Sequence, residues 1–427
     1  MVLRNLSWLT LSQVVRMATG FLVGTWLTRS LGPEKSGVLS TAVLIGTWMG
    51  HASELGLRQV LVKELAVRPE HESDLVFASA TRVMLLSGAI GTLLGCLAAW
   101  LFGGVEMLQL GFILYAPLLL NAYQSVLARW DAAQQSQRTA KLAMTANLLS
   151  SAVRAVMIWQ GVSLGWLAFS LALESIIGMG IASCWCARRG WLHSLRRWDS
   201  GIARRLLKES LPLLAAQIGS LLLLKVDQMM LFRMRGAEEA GIYAAATRLS
   251  EIVYAAAPLM ITSFMPMLSH AHHQDTQLYR RRQQALFGIC TLLGYGTVLA
   301  WWLAGDVVVS MLYGPAFVAA APVLLVHGLA TLPLLHGEMR GALLVIEQKT
   351  AWSLRCVMMG LVFNLLLNIW LIPAYGALGA AWATVASYTL AWFVSSLILP
   401  ALRQMGGLQV SSLGVTPFFR HWRALFS

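Results

Sequence analysis

The sequence predicts an all-α integral membrane protein. Twelve transmembrane helices form two six-helix bundles related as a parallel internal repeat, with both termini cytoplasmic. Three observations predict this: an apolar composition, a one-sided distribution of Lys and Arg, and a short motif recurring at half the chain length. Hydrophobic residues make up 57% of the 427 residues and charged residues 12%, with mean hydropathy +0.65. A soluble domain carries about 25% charge. Apolar runs fill the chain, so it is polytopic and not a soluble domain on an anchor.

The first run, from about Leu6 to Leu27, is near spanning length and lacks a small-residue cleavage site followed by a polar domain. It reads as an uncleaved first helix. Spans of about 20 residues then fall near 6–28, 38–56, 75–101, 107–128, 142–160, 163–186, 210–232, 240–268, 284–304, 320–345, 352–372 and 377–399. With these spans, the termini and even-numbered connections hold 21 Lys and Arg, the odd-numbered connections four and the spans seven. The positive-inside rule places both termini and the basic connections in the cytoplasm. The net charge of +13 thus reflects topology and attraction to anionic lipid, and nucleic acid is not an expected partner.

The organisation that follows is an N-terminal bundle over 1–187, a linker over 188–209, a C-terminal bundle over 210–400 and a cytoplasmic tail over 401–427. In the linker, Trp191, Leu195, Trp198 and Ile202 recur at helical spacing with arginines between them, the pattern of an interfacial amphipathic helix. LRQVLVKELAVR (57–68) reads as a smaller example, and Phe418, Phe419 and Trp422 beside Arg420 and Arg423 place the tail on the inner surface. The cysteines Cys96, Cys184, Cys186, Cys290 and Cys356 are scattered without CxxC spacing, so neither a metal nor a cofactor is expected.

The repeat pairs RSLGPEKSG (29–37) with RMRGAEEAG (233–241). Arg29, Gly32, Glu34 and Gly37 match Arg233, Gly236, Glu238 and Gly241 at a constant offset of 204. Each copy lies between the first and second spans of its half, as in parallel-repeat transporters. The turn has local logic. Glycine ends one helix, Pro33 cannot continue it, and Glu sits at the start of the next, where the helix dipole favours an anion.

Charges inside the spans are costly, about 2.5–3.5 kcal/mol each at the helix centre. Arg82, Arg340 and Arg355 lie near cytoplasmic ends and can snorkel. Arg16, Arg154, Lys225 and Arg248 lie deeper, roughly 12–22 Å from a helix start at 1.5 Å per residue. The deep acids are Glu174, Asp227, Glu251 and Glu338. Arg248 and Glu251 are i,i+3 on one helix, a spacing that allows a local pair. Over the spans as a whole bases outnumber acids, seven against five once Glu54 is counted, which suits a positive, water-filled cavity for an anionic group such as phosphate. Lys225 is expected to face that cavity. Asp227, about 200° around the helix from it, is expected to face another helix and balance charge or take part in ion coupling. Glu174 and Glu251 are assigned the same coupling or balancing role.

Four segments carry a family likeness: WLTRSLGPEKSGVLSTAV (26–43), VDQMMLFRMRGAEEAGIYAAATRLSE (226–251), AGDVVVSMLYGPAFVAAAPVL (304–324) and NLLLNIWLIPAYGALGAAWATVASY (364–388). In order and spacing, over roughly residues 4–400, they resemble Wzx-type O-antigen and polysaccharide flippases of the multidrug/oligosaccharidyl-lipid/polysaccharide exporter superfamily. The resemblance implies a V-shaped, two-bundle transporter working by alternating access in the bacterial inner membrane. The implied cargo is an oligosaccharide repeat unit linked through pyrophosphate to undecaprenol. Asp227, Gly241, Tyr243 and Arg248 fall on the family-like segment, whereas Lys225 and Arg154 rest on the charge pattern. Expected partners are this lipid-linked oligosaccharide, membrane lipids and polysaccharide polymerase machinery, with a monomer as the default state. The outer connections are short; the longest, around 304–319, offers only Asp306 as an acid, and Glu106 stands alone in its own loop, which argues against an enzyme. A drug/cation antiporter of the same superfamily, or a flippase for another isoprenoid-linked glycan, are the alternatives.

Overall fold

A computed structural model describes residues 2–188, 197–414 and 416–425. Trp191 and Leu195 of the expected linker helix lie outside them. Helices account for nearly all of the described residues and no strand occurs among them. Eight helical stretches there are long and apolar enough to cross a membrane. By internal contacts the chain divides into two compact units: Met1–Leu31 with Val38–Ile218, and Gly32–Gly37 with Gly219–Ser427.

The first unit begins with α1 (Val2–Glu54), broken at Gly32, where φ is 74° and ψ 173°. It continues through α2 (Leu57–Val67), α3 (Glu70–Tyr115) with a break at Gly103 and Gly104, α4 (Gln124–Ala132), α5 (Ser136–Trp159) and α6 (Leu164–Arg188). Helix α2 is amphipathic as its pattern predicts, and Leu57, Val60, Leu61 and Leu65 are buried. That face packs into a protein core with Phe77, Met84, Leu127 and Leu206. The polar rim of this core is tied by ion pairs: Arg129 to Asp74 at 2.6 Å and Arg68 to Glu64 at 2.8 Å.

The second unit takes the C-terminal part of α7 (Ser200–Arg235), from Gly219 on, then α8 (Ala237–Ser250), α9 (Ala256–Gln274), α10 (Thr276–Tyr313), α11 (Ala320–Leu329), α12 (Thr331–Ile346) and α13 (Thr350–Thr389). Gly236, the repeat partner of Gly32, has φ 95° and ψ −177° between α7 and α8. Both glycines thus occupy a backbone region closed to other L-residues. The other matched pair also has a steric reason to be glycine. A Cβ on Gly37 would run into the Ala237 carbonyl, and one on Gly241 would run into the Pro33 carbonyl. Ala237 stands 204 residues from Pro33, so the repeat-related segments meet reciprocally.

The sequence places Arg340 near an interface, able to snorkel. The structure buries it to 1% exposure. Its guanidinium donates to Ser395 and Ser396 hydroxyls at 2.8 and 2.7 Å and to the Ala391 carbonyl at 3.0 Å. The cause lies in the backbone. The helix widens into a π turn over Leu390–Val394, whose carbonyls no longer follow the α-helical pattern and take donors from elsewhere. Gln409, on α14 (Arg403–Ser412), gives a second such donor, its Nε2 lying 3.0 Å from the Trp392 carbonyl. The start of the expected tail therefore packs into the second unit, with Leu402, Met405, Gln409 and Ser412 buried.

Candidate functional site

In the second unit, LLLLKVDQMML (221–231) lies within α7. Helical geometry sends Lys225 and Asp227 to different faces, and each finds its own partners. Asp227 is 1% exposed. Its Oδ1 accepts from the Gln228 amide at 2.7 Å, and its Oδ2 accepts from Thr384 Oγ1 at 2.7 Å. The Tyr243 hydroxyl donates a further short hydrogen bond to the same Oδ2. Tyr243 comes from α8 and Thr384 from α13, so Asp227 does face other helices. Its hydrogen bonds come from neutral donors, which solvate the buried carboxylate without balancing its charge.

Lys225 forms an ion pair with Glu251, with Nζ 2.6 and 2.7 Å from the two carboxylate oxygens. Glu251, which the sequence sets three residues from Arg248, thus also has a partner on another helix. Helix α8 ends at Ser250 and tightens into a 3-10 turn over Glu251–Ala255, and the carboxylate reaches α7. Arg248 itself is exposed. Lys225, which the charge pattern assigns to a cavity, is held by the Glu251 carboxylate. The pair is about a quarter exposed, at 26% and 22%, so it stays partly solvated.

Beside these groups sit residues that the sequence reading passed over. His327, 1% exposed, has Nδ1 2.7 Å from Ser250 Oγ. Tyr243 meets the imidazole edge-on at 5.9 Å, and Tyr254 stacks on it at 6.3 Å. Asp227, Tyr243, Thr384, His327 and Ser250, with the Lys225–Glu251 pair, form a polar cluster inside an apolar bundle. The cue was available: a histidine in an apolar run (AAPVLLVHGLA) calls for a hydrogen-bond partner.

In the first unit a cavity of about 280 Å³ is lined by Gln13, Arg16, Arg58, Tyr123, Gln124 and Glu174, among others. Arg16 is held by Gln13 Oε1 at 3.2 Å. Arg58 pairs with Asp131 at 2.9 Å, and Thr139 donates to the same carboxylate at 3.0 Å. Glu174 accepts from Asn147 Nδ2 at 3.4 Å, and Asn147 Oδ1 accepts from Thr19 at 2.6 Å. Two of the predicted residues, Arg16 and Glu174, therefore share one cavity, with Arg58 as an unforeseen third.

Arg154 does not join them. It is 7% exposed and turns between α5 and α6, where Nε donates to Ser170 Oγ and Nη2 to the Ser170 carbonyl, both at 3.1 Å. A guanidinium buried between helices requires such acceptors, so its assignment to a substrate cavity is corrected to an interhelical link.

Comparison with known proteins places this geometry. The family described as "Polysaccharide biosynthesis protein" matches residues 2–272. The succinoglycan biosynthesis transport protein ExoT of Rhizobium meliloti (strain 1021) is 23% identical over 363 residues, covering 80% of this chain and 70% of ExoT. The fold is similar to that of an inward-facing multidrug resistance MATE family transporter of the MOP superfamily, with TM-score 0.70 and 15% identity over 94% of this chain and 96% of the other. The lipid II flippase MurJ in an inward closed conformation gives TM-score 0.72 and 12% identity over 98% of this chain and 96% of MurJ.

Proposed function

The chain belongs to the polysaccharide biosynthesis protein family, and from that premise we propose that it is a flippase for lipid-linked oligosaccharide repeat units. The cargo is joined through pyrophosphate to undecaprenol and crosses from the cytoplasmic to the periplasmic leaflet of the bacterial inner membrane by alternating access, for O-antigen or a related surface glycan. The chain acts as a transporter and not as an enzyme. The succinoglycan transport named for the Rhizobium relative supports a glycan cargo.

The observation that carries this reading is the first-unit cavity. Arg16 and Arg58 line it together with the amides of Gln13 and Gln124. Guanidinium groups match phosphate oxygens in a fork geometry, and side-chain amides match sugar hydroxyls. Among membrane-spanning helices, a polar cavity of this kind calls for a cargo with the same chemistry. The buried Asp227 cluster in the second unit suits the coupling step, because the Thr384 hydroxyl can turn its proton to the Ala380 carbonyl at 3.0 Å and free a carboxylate oxygen to take one.

Twelve crossings with both termini cytoplasmic form the topology of this proposal. Reading the breaks at Gly103–Gly104 and Gly376 as turns, and α1 as two crossings separated at Gly32, supports that number. Deletion of the gene, in a strain without a redundant flippase, is expected to abolish the surface glycan ladder and trap lipid-linked repeat units on the cytoplasmic side. The intact gene restores the ladder. A normal ladder and a normal lipid-linked pool in the deletion strain would remove the polysaccharide cargo and direct attention to drug susceptibility.

A further inference from the structure

The first unit holds a second concavity that the proposed cargo route does not use. It is a groove of about 650 Å³ lined by Met49, Leu86, Ile90, Leu94, Leu207 and Leu214, with Trp198 and Arg204 also on its wall. Its walls come from the end of α1, the middle of α3 and the start of α7. The walls are fastened to one another. Ser87 Oγ donates to the Ser53 carbonyl at 2.5 Å, and Gly91 lies so close to Ser53 that a Cβ there would overlap the serine hydroxyl. Asp199 ties the start of α7 to α3: its amide donates to Ser79 Oγ at 3.2 Å, and its Oδ1 caps Ile202 N at 2.9 Å. The groove is therefore built into the fold and does not depend on a ligand to hold it open.

Leu86, Ile90 and Leu94 recur every four residues along α3 and remain 64%, 57% and 52% exposed. The indole and the arginine of the wall lie at the α7 end. Arg204 is exposed there, and the Arg82 guanidinium lies 5.9 Å over the Trp198 ring. An apolar trough with an indole and arginines at its mouth is complementary to a long hydrocarbon chain carrying an anionic head.

We propose that this groove is a binding site for an anionic phospholipid, with one acyl chain along Leu86, Ile90 and Leu94 and the headgroup phosphate at Arg204. The site does not rest on the identity of the transported cargo. Its role is to fix the start of α7 against the first unit at the bilayer surface.

The test is native mass spectrometry of the purified full chain with added phosphatidylglycerol, with phosphatidylcholine as the neutral control. Wild type is expected to retain phosphatidylglycerol over phosphatidylcholine. Arg204→Glu is expected to lower that retention about fivefold or more. Ile90→Trp, which fills the groove from an exposed position without touching the arginine, is expected to lower retention as well. Glycerol 3-phosphate at equal concentration is expected not to compete, because the head alone lacks the chain. Equal retention of both lipids, or unchanged retention in both variants, would overturn the proposal. Preferential retention of undecaprenyl phosphate over phosphatidylglycerol would also overturn it, since the groove would then belong to the cargo's tail.

Discussion

At the scale of single residues, the polar groups of this membrane protein divide into those that hold helices together and those that face open space. Asp227 belongs with the first group by contact: three donors surround its carboxylate. Asp227→Asn is nearly isosteric but turns an acceptor-only group into one that carries its own donors. The expected loss of stability is about 1.5–3 kcal/mol, the range for a hydrogen bond to a charged group. Thermal unfolding of the purified protein measures it, and an unchanged midpoint would show that the carboxylate is not the element that Tyr243 and Thr384 serve. In transport, the same variant is expected to lose its response to a proton gradient.

Lys225 and Glu251 give a second residue-scale prediction. Lys225→Glu is expected to lower the amount of folded protein by placing two carboxylates together, and the added exchange Glu251→Lys is expected to restore it. Failure of the exchange to rescue would mean that Lys225 has a role beyond its partner. The presence of deep charges was legible in the sequence, because any ionisable group in a long apolar run stands out. Their pairing was not. Glu251 lies three residues from Arg248, yet its carboxylate also reaches Lys225, twenty-six residues away on α7, from the start of a 3-10 turn. Arg154 reaches Ser170 across sixteen residues, a contact that depends on how α5 and α6 pack and has no local signature.

At the scale of elements, glycine placement decides where helices turn and how closely they approach. The repeat of Gly32 and Gly236 was readable because the motif recurs at a fixed offset, and the structure gives both the same extended, positive-φ geometry. Gly37 and Gly241 were matched by sequence alone, and their reason is contact between repeat-related backbones. Gly241→Val is expected to destabilise the second unit by several kcal/mol, because a branched side chain would have to displace a backbone carbonyl. Native-like melting of that variant would contradict the contact. The π turn at Leu390–Val394 was invisible beforehand, since nothing in LAWFV distinguishes it from the α-helix around it. Its partner Arg340 was accordingly placed at the membrane surface. Arg340→Lys keeps the charge but cannot span Ser395, Ser396 and the Ala391 carbonyl together. The expected loss is about 1–3 kcal/mol from hydrogen bonds left unmade, read as a lower melting temperature.

At the scale of the whole molecule, composition and the bias of Lys and Arg lead directly to a polytopic helical protein. The half-length repeat accounts for a two-part chain. The chemistry of the cargo follows less directly, because sugar recognition rests on Gln, Asn and Thr side chains that look ordinary in a sequence and acquire meaning only when a cavity gathers them. Arg58 illustrates this. Its stretch read as a surface helix, yet its guanidinium lines the same cavity as Arg16 and Glu174. A paired charge reversal, Arg16→Glu with Arg58→Glu, is expected to cut export of lipid-linked oligosaccharide at least tenfold at normal protein levels. The most direct test of the central claim uses the purified protein in sealed proteoliposomes loaded with undecaprenyl-pyrophosphate-linked oligosaccharide. A membrane-impermeant glycosidase added outside reports how much glycan is exposed. The flippase account predicts that the protected half of the glycan becomes digestible with time, faster than in empty liposomes and more slowly with the paired arginine variant. A protected fraction that stays at the protein-free level would contradict it.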